Sequence, residues 1–122
     1  MNHAMYYSSG YFVDDEGWWD NKAMIAEFAD LFIDHDIDLV FSGHNHHMEY
    51  LNNSGVVYNI IGGFGGHLDP DYTTKVGQQG TGSVWYLSGQ HGYLDVEING
   101  PIANVTFRNP EYAVVQNYVI TE

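Results

Sequence analysis

Apolar residues recur every three or four positions between residues 21 and 35 of this chain of 122 residues. The recurring positions are Met24, Ile25, Phe28, Leu31 and Phe32. Asp20 or Asn21 stands just before them, where a side-chain oxygen can accept a hydrogen bond from the first amides of a helix. The spacing therefore predicts an amphipathic helix over residues 21–35, with its apolar stripe packed on a sheet.

Short apolar runs follow the helix and predict strands. The run IDLVFSG at residues 37–43 is continuously apolar at its centre, which is typical of a buried strand in an α/β layer. Runs bounded by glycine, asparagine and proline predict further strands at residues 55–61, 83–87, 92–98, 102–107 and 112–120. The first 19 residues show no steady period and predict a loop that follows a short strand remnant at residues 1–3.

These elements together predict an α/β fold in a single domain that spans residues 1–122. Residues 1–66 make up a βαβ part that carries a histidine motif, and residues 67–122 make up a β-rich part. No apolar run approaches the roughly 20 residues that are needed to cross a bilayer. The N-terminus shows no signal-peptide pattern, and the cellular location is left open.

The charge of the chain limits the classes of molecule that it is expected to bind. Sixteen Asp and Glu residues stand against Lys22, Lys75 and Arg108, which gives a formal net charge of -13. Nucleic acid and anionic membranes are therefore not expected as partners. The acidity indicates either a solvated acidic surface or a charge that is partly offset by bound cations. Since the chain has no cysteine, any metal site must use histidine, carboxylate and amide oxygen.

Three histidines lie within four positions directly after the strand predicted at residues 37–43. His44 and His46 follow Gly43, where a backbone turn can bring both imidazoles toward one point. They are either metal ligands or polar loop residues, because a His-x-His pair alone is not specific. His47 points the other way if the segment is extended, and it is expected to be a bystander. His35 is expected near the helix end, where a positive charge is favourable.

Other catalytic signatures are weak. The glycine loop IGGFGGH at residues 61–67 lacks the Lys-Ser/Thr ending of a phosphate-binding loop, and it is expected to let the backbone pass close to a metal or substrate. No serine lies in a Gly-x-Ser-x-Gly elbow. A cupin-like histidine set is disfavoured by the helix directly before the histidines.

Four segments in order resemble the C-terminal part of calcineurin-like metallophosphoesterases, and purple acid phosphatases most closely. They are HAMYYSSG, VFSGHNHHMEY, VVYNIIGGFGG and HGYLDVEINGPIANVTF. The resemblance implies the C-terminal half of that family's β-sandwich, with a mixed sheet, one main flanking helix and an antiparallel β-rich segment. It also implies that His3 and His44 bind one metal and His46 another, and that the metals are Fe, Zn or Mn. Asn45, Tyr7 and His67 are the candidates for contact with a substrate.

The resemblance implies a phosphoric ester hydrolase in which two metal ions activate water for attack on phosphorus. Three upstream motifs of the family are absent from residues 1–122, namely Asp-x-His, Gly-Asp-x-x-Asp and Gly-Asn-His. The chain alone is therefore expected to be inactive on phosphate esters and to hold at most one metal. The alternative is a non-catalytic, self-associating module that keeps the fold. In both cases the exposed sheet face is expected to produce a homo-oligomer, and the family makes an extracytoplasmic location conceivable.

Overall fold

The structure is a computed structural model and describes residues 3–10, 12–13, 16–17, 20–69 and 82–122. The first elements in the described ranges are a two-stranded antiparallel ribbon of β1 (Phe12–Val13) and β2 (Glu16–Gly17), followed by α1 (Lys22–Asp34). The remaining strands are β3 (Leu39–Ser42), β4 (Met48–Asn53), β5 (Val56–Ile61), β6 (Ser83–Leu87), β7 (Tyr93–Asn99), β8 (Ile102–Arg108) and β9 (Val114–Thr121).

The helix forms where its local sequence predicts it. Asn21 is the N-cap, and its side chain accepts a hydrogen bond from the amide of Met24 at 3.2 Å. The helix ends at Asp34 and is followed by Asp36 with a φ of 50°, a conformation that is uncommon for a residue with a side chain. Four residues of the predicted stripe pack on the core, whereas Leu31 is exposed.

Two sheets carry most of the structure. The first has the order β3-β5-β4-β6, in which only the β3–β5 pair is parallel, and the second has the antiparallel order β7-β8-β9. Of the predicted strands, the six from residue 37 onward are present with small shifts at their ends. The strand β4 was not predicted. The strand remnant expected at residues 1–3 falls partly outside the described residues, and His3 lies in a bend.

The first sheet buries residues on both faces. One face carries Val40, Leu51, Val56, Tyr58 and Ile60 beneath the helix and the segment Met5–Tyr6. The other face meets the second sheet, where the ring of Tyr50 lies 4.5 Å from that of Tyr118 and the ring of Trp85 lies 4.9 Å from that of Phe107. The hydroxyl of Tyr118 also donates to Oδ1 of Asn59 at 2.7 Å. The protein is thus a two-layer β-sandwich with a helix on its outer face.

The predicted α/β class is therefore wrong. The described residues contain one helix, and strands dominate. In an α/β fold a helix connects neighbouring parallel strands. Here the β4–β5 hairpin returns the chain so that β5 lies parallel to β3. No helix lies between these two strands, because α1 comes before β3. The division into parts 1–66 and 67–122 stays a prediction.

Candidate functional site

The structure brings together His3 and His44, the two residues to which the resemblance assigned one shared metal. Nδ1 of His44 lies 3.4 Å from Nε2 of His3, and the two rings meet edge to face. The backbone holds this arrangement, because the amide of Gly43 donates to the carbonyl of His3 at 3.1 Å. His44 has a φ of 71°, so the chain turns sharply where β3 ends. His44 follows the carboxyl end of β3, where the sequence placed it, and His3 meets it there.

His46 lies against the glycine loop rather than in a three-histidine cluster. A Cβ atom on Gly66 would lie 3.7 Å from Cε1 of His46, which places that ring beside the loop at residues 62–66. Among the residues that the structure describes, no group of three or more His, Asp or Glu side chains is placed to hold a metal ion. The described residues therefore do not fit a two-metal centre.

The glycine loop was expected to pass close to a metal or substrate; in the structure it passes close to the backbone of Asn45. A Cβ atom on Gly62 would lie 1.9 Å from the carbonyl oxygen of Asn45 and 2.8 Å from its carbonyl carbon. Real side chains do not come so near, so only glycine allows this crossing of the loop over the histidine segment.

The three candidates for substrate contact are spread over different environments. Asn45 is fully buried, and its amide nitrogen donates to the hydroxyl of Ser8 at 2.7 Å. Tyr7 packs edge to face on Tyr58 in the core, at 4.8 Å between ring centres. Partial burial, aided by the charges of Asp20 and Asp30, raises the pKa of Tyr7. His67 is exposed in the segment that follows the glycine loop.

A buried polar network centred on His47 is the main feature that the sequence did not predict. His47 and Glu49 are fully buried, and Asp69 is nearly so. Nε2 of His47 lies 3.1 Å from Oε2 of Glu49, and Nδ1 lies 3.2 Å from Oδ2 of Asp69. The ring of Tyr86 covers the imidazole at 4.6 Å. Both ring nitrogens thus face a carboxylate inside the protein.

Further donors complete the network around Glu49. The amide of Ser9 donates to Oε2 at 2.8 Å, and the hydroxyl of Ser83 donates to Oε1 at 2.6 Å. The hydroxyl of Ser9 also donates to Oε1. A buried carboxylate needs such donors, because an unpaired charge in the interior is strongly unfavourable. The network therefore joins the N-terminal segment, β4 and β6.

The network sets the charge state of His47. Burial by itself lowers the pKa of an imidazole, but hydrogen bonds to Asp69 and Glu49 and the charges of these two groups outweigh it. The pKa of His47 is raised as a result. A protonated His47 donates to both carboxylates and is the form that this environment favours.

His47 was expected to be a bystander because, in an extended segment, its side chain points away from those of His44 and His46. The one local signal was the spacing of His47 and Glu49, since residues two apart in a strand share a face. Asp69, Ser9 and Ser83 gave no signal, because they lie 22 to 40 residues from their partners in the network.

One side of the sandwich is open between its two sheets. We use the term open side for the groove between β3 and β7, which are edge strands of their sheets. A cavity of about 570 Å³ occupies one end, between Phe41 and Leu94, and a cavity of about 320 Å³ occupies the other, between Leu39 and Ile98. Phe64 at the first cavity and Ile98 at the second are 75% and 72% exposed. Apolar surface is therefore accessible along the whole groove.

None of the helices in the described ranges is both long and apolar enough to pass through a membrane.

Comparisons with known proteins identify a fold rather than a family. No protein-family model and no curated protein matches the chain. Among solved structures it is similar to GAP50, the anchor in the inner membrane complex of Plasmodium, with a TM-score of 0.70 and 20% identity. The likeness covers 98% of this chain and 34% of that one, so the chain spans about a third of the length of its structural neighbour.

The expected membership of the calcineurin-like metallophosphoesterases, and of purple acid phosphatases in particular, is wrong. No family model and no curated protein supports it, and the likeness to GAP50, at 20% identity, shows the fold alone. The description as a metal-binding hydrolase or phosphatase is corrected with it. Residues of the matched segments have structural uses here, such as the close crossing of Gly62 and the burial of His47 and Glu49. Ester hydrolysis by a longer protein, and a single metal at most in this chain, stay predictions.

Proposed function

We propose that this chain is a non-catalytic assembly module that docks a protein partner along the open side. The observation that carries the proposal is the exposure of Ile98 and Phe64 between two edge strands. Edge strands present backbone donors and acceptors to any extended chain, and proteins usually protect edges that they do not use. Apolar surface beside such an edge is typical of an interaction site.

The histidine-rich region supports a structural role rather than a catalytic one. Glu49 is fully buried and accepts hydrogen bonds from Ser9 and Ser83 in addition to its contact with His47. A carboxylate whose oxygens are occupied in this way has little capacity left for a substrate. The network instead holds together the sheet that supplies β3 to the open side.

The description of the structural neighbour agrees with this role. GAP50 is an anchor in the inner membrane complex, and anchoring is an assembly function. Self-association, which was expected from the sequence, would use the same side and stays a prediction.

A photo-crosslinking amino acid placed at Ile98 tests the docking. The control position is Val119, which is also exposed and apolar but lies on β9, an edge strand of the second sheet on the opposite side from β7. We expect protein adducts from position 98 and none from position 119. Equal adducts at both positions, or none at position 98, would contradict the docking site.

An activity assay tests the non-catalytic part of the proposal. The chain is incubated with nitrophenyl phosphate and Zn²⁺, Mn²⁺ or Fe²⁺, and we expect no release of nitrophenol above that of the metal alone. Turnover that disappears in the His44→Ala variant would show that the module is an enzyme.

A further inference from the structure

We infer that the partner at the open side is an extended segment in which basic and apolar residues alternate, added as a strand along β3. The inference rests on the proposed assembly role and specifies the chemistry of the partner. Three features of the groove lead to it: the direction of the free backbone groups, the apolar floor and the acidic rim.

The backbone of β3 has one paired and one free side in the described part of the chain. The carbonyl of Asp38 accepts a hydrogen bond from the amide of Val57 on β5 at 2.8 Å. Because successive residues of a strand point their peptide groups alternately to either side, those of Leu39 and Phe41 point away from β5. Gly43, two residues after Phe41, points its amide away from β5 as well, and that amide donates to the carbonyl of His3. The free groups of Leu39 and Phe41 can therefore accept an added strand.

The floor of the groove is apolar. The smaller cavity is lined by Ile37, Leu39, Ile98, Ile102 and Ile120. Side chains of an added strand alternate between the two faces of the sheet, so every second one would point into this gap between the sheets. Those positions of the partner are expected to be valine, isoleucine, leucine or an aromatic residue.

The rim of the same cavity is acidic. Asp36, Asp38 and Glu122 line it, and all three are exposed. In the described ranges, none of them forms an ion pair with lysine or arginine. Arg108 is bonded instead to Asp95, at 3.4 Å. Complementary charge favours lysine and arginine at the partner positions that face this rim.

The charge also favours a basic partner over a second copy of this chain. Each chain carries a formal net charge of -13, and a symmetric pairing of β3 edges would bring both acidic rims together. Like charges at an interface reduce affinity and association rate. A basic segment removes this repulsion and gives attraction in its place.

A displayed library of random twelve-residue peptides, selected on the full chain, tests the inference. We expect enriched sequences in which Lys or Arg alternates with apolar residues. A synthetic peptide of the enriched sequence should bind about tenfold more weakly to the variant Asp38→Lys/Glu122→Lys, and its affinity should fall as salt is raised. The matched control Glu27→Lys/Asp30→Lys changes the net charge equally but lies on α1, and it should leave the affinity within about twofold.

The outcomes separate this inference from the proposed function. The basic partner is overturned if the enriched peptides are acidic or neutral, or if their binding is insensitive to salt. The docking proposal still stands in that case if these peptides block crosslinking from position 98. A dimer detected by light scattering and lost in Leu39→Pro overturns the basic partner in favour of a second copy. If no peptide is enriched and no adduct forms at position 98, both the inference and the proposed function fail.

Discussion

Nδ1 of His47 lies 3.2 Å from Oδ2 of Asp69, although the two residues are 22 positions apart in the chain. This contact, with that between His47 and Glu49, ties the segment after the glycine loop to β4. The histidine run is thus anchored in the interior through its third member, while His44 faces His3. Stability, rather than ligand binding, is the property that the network controls most directly.

Replacing Glu49 with glutamine should destabilise the protein by about 3 kcal/mol, since the change removes the buried charged acceptor that faces Ser9, Ser83 and Nε2 of His47. The free energy of unfolding from urea titration measures the effect. Glu97→Gln is the control, because Glu97 is an exposed residue of β7, and it should change stability by less than about 0.5 kcal/mol. Equal effects of the two substitutions would contradict the network.

The contribution of His47 to stability should decrease as pH rises. The raised pKa in the folded state means that the folded protein binds the proton more tightly than the unfolded chain, in which the pKa is about 6.5. The contribution is therefore complete below about pH 6.5 and is lost as pH increases through the folded pKa. Urea titrations of the protein and of His47→Gln between pH 5 and 9 give the difference. A difference that grows with pH would reverse the assigned direction of the shift.

Gly62→Ala should prevent the glycine loop from crossing the histidine segment. The added methyl group would overlap the backbone of Asn45, which cannot move as a flexible side chain could. We expect a loss of at least about 3 kcal/mol in the free energy of unfolding. Gly66→Ala is the matched control, since its Cβ would make only ordinary contacts, at 3.7 Å or more. A tolerated Gly62→Ala would refute the close crossing.

His3 and His44 should hold one divalent ion at most, and weakly. Two ligand nitrogens of a tetrahedral zinc ion lie about 3.4 Å apart, and the observed separation of Nδ1 and Nε2 is 3.4 Å. Among the described residues no third His, Asp or Glu side chain completes a site with this pair, so the affinity should be low. Elemental analysis after dialysis against Zn²⁺ measures the stoichiometry. His44→Ala should abolish binding and His35→Ala should not, whereas two ions retained per chain after dialysis would disprove this account.

The elements with local signals could be predicted from the sequence. The helix has its period and its cap within 15 residues, and the strands after residue 54 are separated by turn residues. The strand β4 was missed because Glu49, Asn52 and Asn53 make it look polar. Its burial depends on donors from Ser9 and Ser83, which lie 40 and 34 residues from Glu49.

The fold class and the site depended on relationships that a sequence does not display. The α/β prediction assumed a helix between parallel strands, whereas a hairpin returns the chain so that β5 pairs with β3. The pairing of His3 with His44 came only from the resemblance; their rings do meet in the structure, and their role as metal ligands stays a prediction. The resemblance implied that His46 binds the second metal; its ring lies beside the glycine loop, and its role as a ligand stays a prediction.

Residue-resolved hydrogen exchange at the edge of β3 tests the docking account most directly. In the dilute chain, the amides of Leu39 and Phe41 should exchange rapidly, while that of Val57, which is bonded to Asp38, should be protected. Addition of the selected basic peptide should slow exchange at Leu39 and Phe41 and leave Val57 unchanged. Protection of Leu39 and Phe41 in the dilute monomer would show that this edge is already paired within the chain, and would contradict the open side as a docking site.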